Sequence, residues 1–230
     1  MPANLWVIGG TDTEVGKTRM GIAIGATFRG AGKNIRTIKP IESGVRELTP
    51  ETEDGALLAN STGQDFPQSA LIRLETPIAP PAAADLEGRE LSWPDLLCDV
   101  KDHLKQTEFG LVEGAGGILS PLTWEKTTLD LATELDAPLI LVVADRLGAL
   151  NQTRMAMAAC ASRGIPVTLV VLSAGAQEDM TTGLNEESLL RCPEFEGSDS
   201  PALISVPRLT EKDDGQRYFS AWVKGVVNDV

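Results

Sequence analysis

Short apolar runs recur along this chain, and most are followed by a stretch with helical spacing. Residues 5–8 (Leu-Trp-Val-Ile) run into Gly9-Gly10, and residues 17–32 then carry a helical pattern. Residues 36–38 predict a second strand, stopped by Pro40. Helices are predicted over 54–60 and 93–106, the latter with Ser92 as N-cap and Pro94 in its first turn. A third strand, 109–112, leads into Glu113-Gly114-Ala115-Gly116-Gly117. Residues 139–143 and 167–172 are continuous apolar runs rich in β-branched side chains, as in strands buried on both faces. A helix over 148–163 joins them, and a short strand (203–206) and a helix (216–227) complete the chain. Strands alternating with helices predict an α/β fold, a parallel sheet with helices on both faces. The Pro/Ala segment 76–85 reads as an ordered loop near the site.

Composition narrows the function classes. The 230 residues include 42% hydrophobic ones, enough for a substantial core, and the length predicts a single domain over 1–230. A net charge of −13 opposes nucleic acid and anionic membranes as partners. No apolar run nears the roughly 18 residues of a membrane span, and the N-terminus lacks the basic start of a secretory signal. A cytoplasmic protein is expected. Cys98, Cys160 and Cys192 are widely spaced and read as buried or half-buried thiols of a reducing compartment. His103, the only histidine, reads as a helix-surface residue, so a histidine triad or metal centre has almost no material. Charge is uneven, however. Residues 1–46 set Lys17, Arg19, Arg29, Lys33, Arg36, Lys39 and Arg46 against only Asp12, Glu14 and Glu42, which leaves room for a local anion site.

The sharpest motif is Gly10-Thr11-Asp12-Thr13-Glu14-Val15-Gly16-Lys17-Thr18, between a predicted strand and a predicted helix. That is the setting of a phosphate-binding loop. Backbone N–H groups at a helix N-terminus point at phosphates, Gly16 permits close approach, Lys17 reaches the outer phosphates, and the Thr18 hydroxyl suits Mg²⁺. Thr11 stands where such loops usually have their first glycine. A bare Gly-Lys-Thr string also fits an ordinary glycine turn, but the flanking strand and helix favour nucleotide binding. Glu113, at the carboxyl end of a predicted strand, is placed to share the metal. Lys39 closes the second strand and either aims a cation at the same edge or is an ordinary surface lysine.

Taken together, Gly10–Thr18, Lys39-Pro40-Ile41-Glu42-Ser43-Gly44, Glu113-Gly114-Ala115-Gly116-Gly117 and Leu147-Gly148-Ala149-Leu150-Asn151 resemble the dethiobiotin synthetase family, over about residues 5–215. The resemblance implies a P-loop NTPase-like fold with a seven-stranded, mostly parallel sheet. It implies an ATP-dependent ligase of biotin synthesis that turns 7,8-diaminopelargonic acid and carbon dioxide into dethiobiotin, and a homodimer sharing its substrate across the interface. By the same resemblance Thr18, Asp54 and Glu113 would bind Mg²⁺. Glu14, Val15, Gly16, Lys17, Thr18 and Arg19, with Glu113, Gly114, Ala115 and Gly116, would hold the nucleotide. Ser173, Pro207, Arg208, Leu209 and Asp214 would border its base. Lys17, Lys39 and Thr13 would carry the chemistry, with Ser43 on the substrate, while Gly148, Ala149, Leu150 and Asn151 of the partner subunit would receive the distal carboxylate.

The chain departs from the family pattern in three places. Ser173 stands where an asparagine often reads adenine, so other nucleoside triphosphates become possible. Ala79-Pro80-Pro81 replaces a frequent Ser-Pro-His, and Gln152 replaces a frequent histidine. The principal rival is a deviant P-loop ATPase switch of the partitioning type. Such loops carry an extra lysine where this chain has Asp12.

Overall fold

The computed structural model describes residues 1–2, 4–45, 50–105, 107–176, 178–210 and 213–228. Arg46 of the basic N-terminal stretch, and Gln106, with which a predicted helix ended, lie outside them. In chain order the elements are β1 (Asn4–Gly10), α1 (Lys17–Gly30), β2 (Ile35–Ile38), β3 (Ile41–Ser43), α2 (Asp54–Thr62), β4 (Ile72–Leu74), α3 (Pro80–Leu86) and α4 (Trp93–His103). There follow β5 (Phe109–Gly117), α5 (Thr128–Leu135), β6 (Leu139–Ala144), α6 (Ala149–Ser162), β7 (Val167–Ser173), α7 (Asn185–Leu189), β8 (Ala202–Val206) and α8 (Gln216–Asn228).

The main sheet is parallel, in the order β2-β5-β1-β6-β7-β8. Its strands are the six read from the hydrophobic runs. The seventh implied by resemblance is not in it among the described residues. Pro40 supplies the physical reason: with no N–H to offer a ladder, it ends β2, and the chain resumes as β3, which pairs with β4 in a separate two-stranded sheet.

Alternation along the strands builds two cores. In β1, Leu5 and Val7 face one side, toward the core that includes Val100 of α4 and Leu131 of α5, while Trp6 and Ile8 face the other. There they meet Ile24 and Phe28 of α1 and Phe219 and Val223 of α8. In β6, Leu139, Leu141 and Val143 alternate with Ile140 and Val142 in the same way. Trp6 has its ring within 5.6–6.4 Å of Phe28, Phe109 and Trp222, which locks α1 and α8 onto the sheet.

Two expectations are corrected. The segment 76–85 is not a loop throughout, because α3 begins at Pro80. Proline at the first helical turn followed by Ala82-Ala83-Ala84 is a helix-start pattern, and Ala83 and Ala84 pack into the core. Cys98 is exposed on α4, while Cys160 is buried and Cys192 intermediate. α5 was missed although Thr127 and Asp130 form a capping box at its start.

Gly55 supplies a test of the packing that carries α2. A Cβ at this position would lie 2.2 Å from Ala70 N and 2.6 Å from Ser69 C, both backbone. Helix propensity favours alanine over glycine by about 1 kcal/mol, yet a clash with main chain must outweigh it. Gly55→Ala should therefore destabilise the fold by about 2 kcal/mol or more in urea unfolding. An unchanged or higher midpoint would contradict the packing.

Candidate functional site

β1 lies where the strand order reverses, with β5 on one side and β6 on the other, and its carboxyl end opens onto the phosphate loop. The pairing of β1 with β5 slips there, from Ile8↔Glu113 to Gly10↔Gly117. The extra residues of β5 thus curve around the loop. Gly16 caps α1 with φ 98, a left-handed conformation suited to glycine, and a Cβ would meet Ser173 Oγ at 2.7 Å. The first helical hydrogen bond runs from Met20 N to Gly16 O. Lys17, Thr18 and Arg19 therefore present N–H groups without helical partners at the positive end of the helix dipole.

Under this loop lies a cluster of buried charge. Lys39, 4% exposed, donates to Glu113 Oε1 at 2.6 Å, to Asp54 Oδ2 at 3.2 Å and to the Gly114 carbonyl at 3.4 Å. The Thr18 hydroxyl donates to the same Glu113 Oε1 at 2.7 Å. Lys39 is thus no surface lysine. Burial opposes its charge, but Glu113 and Asp54 outweigh burial and hold it above the usual lysine range. Lys17 is different: burial, then the nearby positive charge of Lys39, push it down to about 8. Its ammonium donates to Asp12 O at 2.9 Å.

Glu42 was given no role of its own in the sequence reading. It is buried and accepts from Asp54 N at 2.6 Å and Gly55 N at 2.9 Å, so it caps α2 and aims Asp54 into the cluster. Burial pushes its carboxyl above the usual range, against the Gly55 N–H. Only the fold brings Glu42 to that helix end, and no local pattern announces it.

The donor set fits a hard divalent cation. Thr18 and Glu113 offer oxygens in direct contact, Asp54 is joined to Glu113 through Lys39, and Glu113 Oε2 is buried with no hydrogen-bond partner. Among the described residues no cluster of three or more His, Cys, Asp or Glu side chains forms a metal cage. Mg²⁺ bound chiefly by phosphates and water, with one or two carboxylates, needs none.

Two clefts flank the loop. One, of about 420 Å³, gathers Thr13, Glu14, Gly16, Lys17, Thr18, Arg19, Lys39, Ser43, Asp54, Ala115 and Gly116, with Glu113 and Gly114 touching Lys39 beside it. The second, of about 220 Å³, joins Glu14, Val15, Gly16 and Arg19 to Ser173, Pro207, Arg208 and Leu209. Arg19 lines both and ties the second to the chain before α8, donating to the carbonyls of Thr210 and Asp213. Asp214 lines neither. Its carboxylate accepts from Gln216 N at 3.1 Å and Gln216 Nε2 at 2.5 Å, at the start of α8. Gly148, Ala149, Leu150 and Asn151 also line neither cleft, and sit at the N-terminus of α6 beyond β6.

Known proteins give this geometry a context. A family model described as an AAA domain matches residues 5–211. The ATP-dependent dethiobiotin synthetase of Caulobacter vibrioides is 33% identical over 215 residues, 90% of this chain and 94% of the relative. The chain belongs to the dethiobiotin synthetase family. A second synthetase, from an Anaeromyxobacter species, is 37% identical over 75% of this chain and 77% of its own. One from Bacillus thuringiensis is 36% identical over 71% and 68%. Among solved structures, the chloroplast FtsY of Physcomitrella patens superposes with a TM-score of 0.50 at 16% identity, over 93% of this chain and 61% of its own, a likeness of fold alone.

The lowered pKa of Lys17 can be tested through anion binding. Its folded pKa of about 8 leaves it half neutral there, and an arriving phosphate favours the charged form. Binding of metal-free ADP at pH 8, where its own phosphates are ionised, should therefore take up about half a proton. Calorimetry in buffers of different ionisation enthalpy measures the uptake. Equal heats in all buffers at pH 8 would refute the shift.

Proposed function

We propose that this chain is an ATP-dependent dethiobiotin synthetase, a cyclo-ligase that closes the ureido ring of 7,8-diaminopelargonic acid with carbon dioxide and releases ADP and phosphate. The observation that carries the reading is the convergence of Lys17, Thr18, Lys39 and Glu113 at the N-terminus of α1, in a chain of this family.

One amine of the substrate takes up carbon dioxide and loses a proton to become a carbamate. A carbamate oxygen attacks the γ-phosphorus and ADP leaves. The second amine then attacks the carbonyl carbon, expelling phosphate and closing the ring. No step needs a covalent protein nucleophile, so positioning and charge do the work. Lys17 and the free N–H groups of α1 would hold the β- and γ-phosphates, and Lys39, with Thr13 and Ser43, the carbamate. Thr18, Glu113 and Asp54 would hold Mg²⁺, which supplies neutralisation of charge on the transferring phosphoryl group. The smaller cleft, with Ser173, Pro207, Arg208 and Leu209, would take the base. Its serine offers one hydroxyl instead of an amide's paired donor and acceptor, which favours acceptance of CTP or GTP beside ATP.

A homodimer accounts best for residues 148–151. They lie at a helix N-terminus suited to a carboxylate, yet outside the clefts of their own chain, so a second copy would present them. We place the protein in the cytoplasm as a single domain. Among the described residues no helix is long and apolar enough to cross a membrane.

The test is phosphate release with Mg²⁺ and ATP, CTP or GTP, with and without diaminopelargonic acid and bicarbonate. Release only when both are present, with dethiobiotin identified by mass, is the expected result. Release indifferent to the diamine would point to the ATPase switch, and no release with any nucleotide would overturn the reading. Lys17→Ala should lower kcat by about 10²–10³-fold. Near-normal turnover in that variant would remove Lys17 from the chemistry.

A further inference from the structure

We infer that Lys39 is the counter-ion of Glu113 at the proposed cation site, and that it leaves Glu113 when a divalent cation arrives. This rests on the cation being held as proposed above.

Two of the three side chains suited to the cation contact this one ammonium, and the third contacts the same carboxylate. Lys39 Nζ lies 2.6 Å from Glu113 Oε1 and 3.2 Å from Asp54 Oδ2, and the Thr18 hydroxyl donates to the same Oε1. Glu113 is 1% exposed, and a carboxylate so far from water requires a compensating charge. Lys39, in contact with it, provides that charge. The same oxygens cannot serve an ammonium and a doubly charged ion at once, because the two cations would stand within a few ångströms of each other under little screening. Glu113 Oε2, buried and unpartnered, is the oxygen left open to the incoming ion.

Lys39 has space beside it to move into. It lines the cleft that also holds Thr13, Ser43 and Ala115. Filling the cation site therefore turns a lysine engaged in an internal ion pair into a free donor facing that cleft. An anionic second substrate would then meet it there. Metal–nucleotide and such an anion should each strengthen the binding of the other, by the same factor.

Mn²⁺ affinity in the presence of ADP, followed by electron paramagnetic resonance without any diamine, tests the exchange directly. Lys39→Met should bind Mn²⁺ at least tenfold more tightly than the unmodified protein, since nothing has to be displaced. Equal or weaker affinity would overturn the inference. Should the variant not fold, the ¹⁵N spectrum of lysine ammonium groups in the unmodified protein decides instead. The Lys39 signal, slow to exchange while buried against Glu113, should shift or vanish on addition of Mg²⁺ and ADP. A signal unmoved at saturation would equally overturn the displacement. Neither readout uses the diamine, so a protein that exchanges Lys39 yet forms no dethiobiotin would refute the proposed function and leave this inference standing.

Discussion

Everything at this site depends on how buried charge is balanced at the carboxyl end of the sheet. Glu113 and Lys39 sit 1% and 4% exposed, in contact, with Asp54, Lys17 and Glu42 around them. Neither charge would survive there alone, because removing one partner of such a pair costs on the order of 3–5 kcal/mol. The pair adds little net stability, since desolvation offsets most of the attraction. Its consequence is placement. Charges held without water respond strongly to an incoming phosphate or cation, and the fold has already met the cost of drying them.

That placement follows from strand order. A parallel sheet puts every carboxyl end on one edge, and the reversal at β1 opens a crevice there. The loop after β1, the Lys39-Pro40 break after β2 and the glycine-rich end of β5 then meet within hydrogen-bond distance, although Thr18 and Glu113 are 95 residues apart. Glu42 extends the same logic. By capping α2 it fixes the helix that delivers Asp54, so a buried carboxylate on β3 sets where the Asp54 side chain meets Lys39.

What could be read from the sequence was what is local. The central strands of the sheet announce themselves as apolar runs because they are buried on both faces, and the phosphate loop is contiguous, so its geometry is carried by nine residues. Resemblance then brought in Asp54, Ser173 and residues 207–209, and the structure gathers these into the two clefts. The failures have physical causes too. α3 opens with two prolines and α5 with a threonine cap, start signals that outweigh a loop-like composition. Asp214 was brought to the base by the same resemblance, and its carboxylate accepts from Gln216 at the first turn of α8. Whether Lys39 is buried could not be told from its own neighbours, because its burial is made by β5 and α2.

A chain of net charge −13 that takes a polyanion needs its positive potential to be short-ranged. The structure supplies this in two ways that salt screens poorly. One is the N-terminus of α1, whose unpaired N–H groups belong to the backbone and carry no counter-ion. The other is Lys17, 7% exposed and depressed to about 8, an ammonium that becomes more favourable as phosphate approaches. The remaining acidic surface then acts against indiscriminate anion binding and leaves selection to the crevice. At the start of α6 two carboxylates fix the chain that enters the helix. Asp145, buried, accepts from Asn185 Nδ2 at 2.7 Å and Gly183 N at 2.8 Å, and Asp179 accepts from Leu147 N at 2.7 Å. That N–H, with the Thr181 hydroxyl, holds Asp179 down at about 2. These two carboxylates pin the chain on either side of residue 146, so the N–H groups that follow are presented by a fixed turn and not by a mobile one.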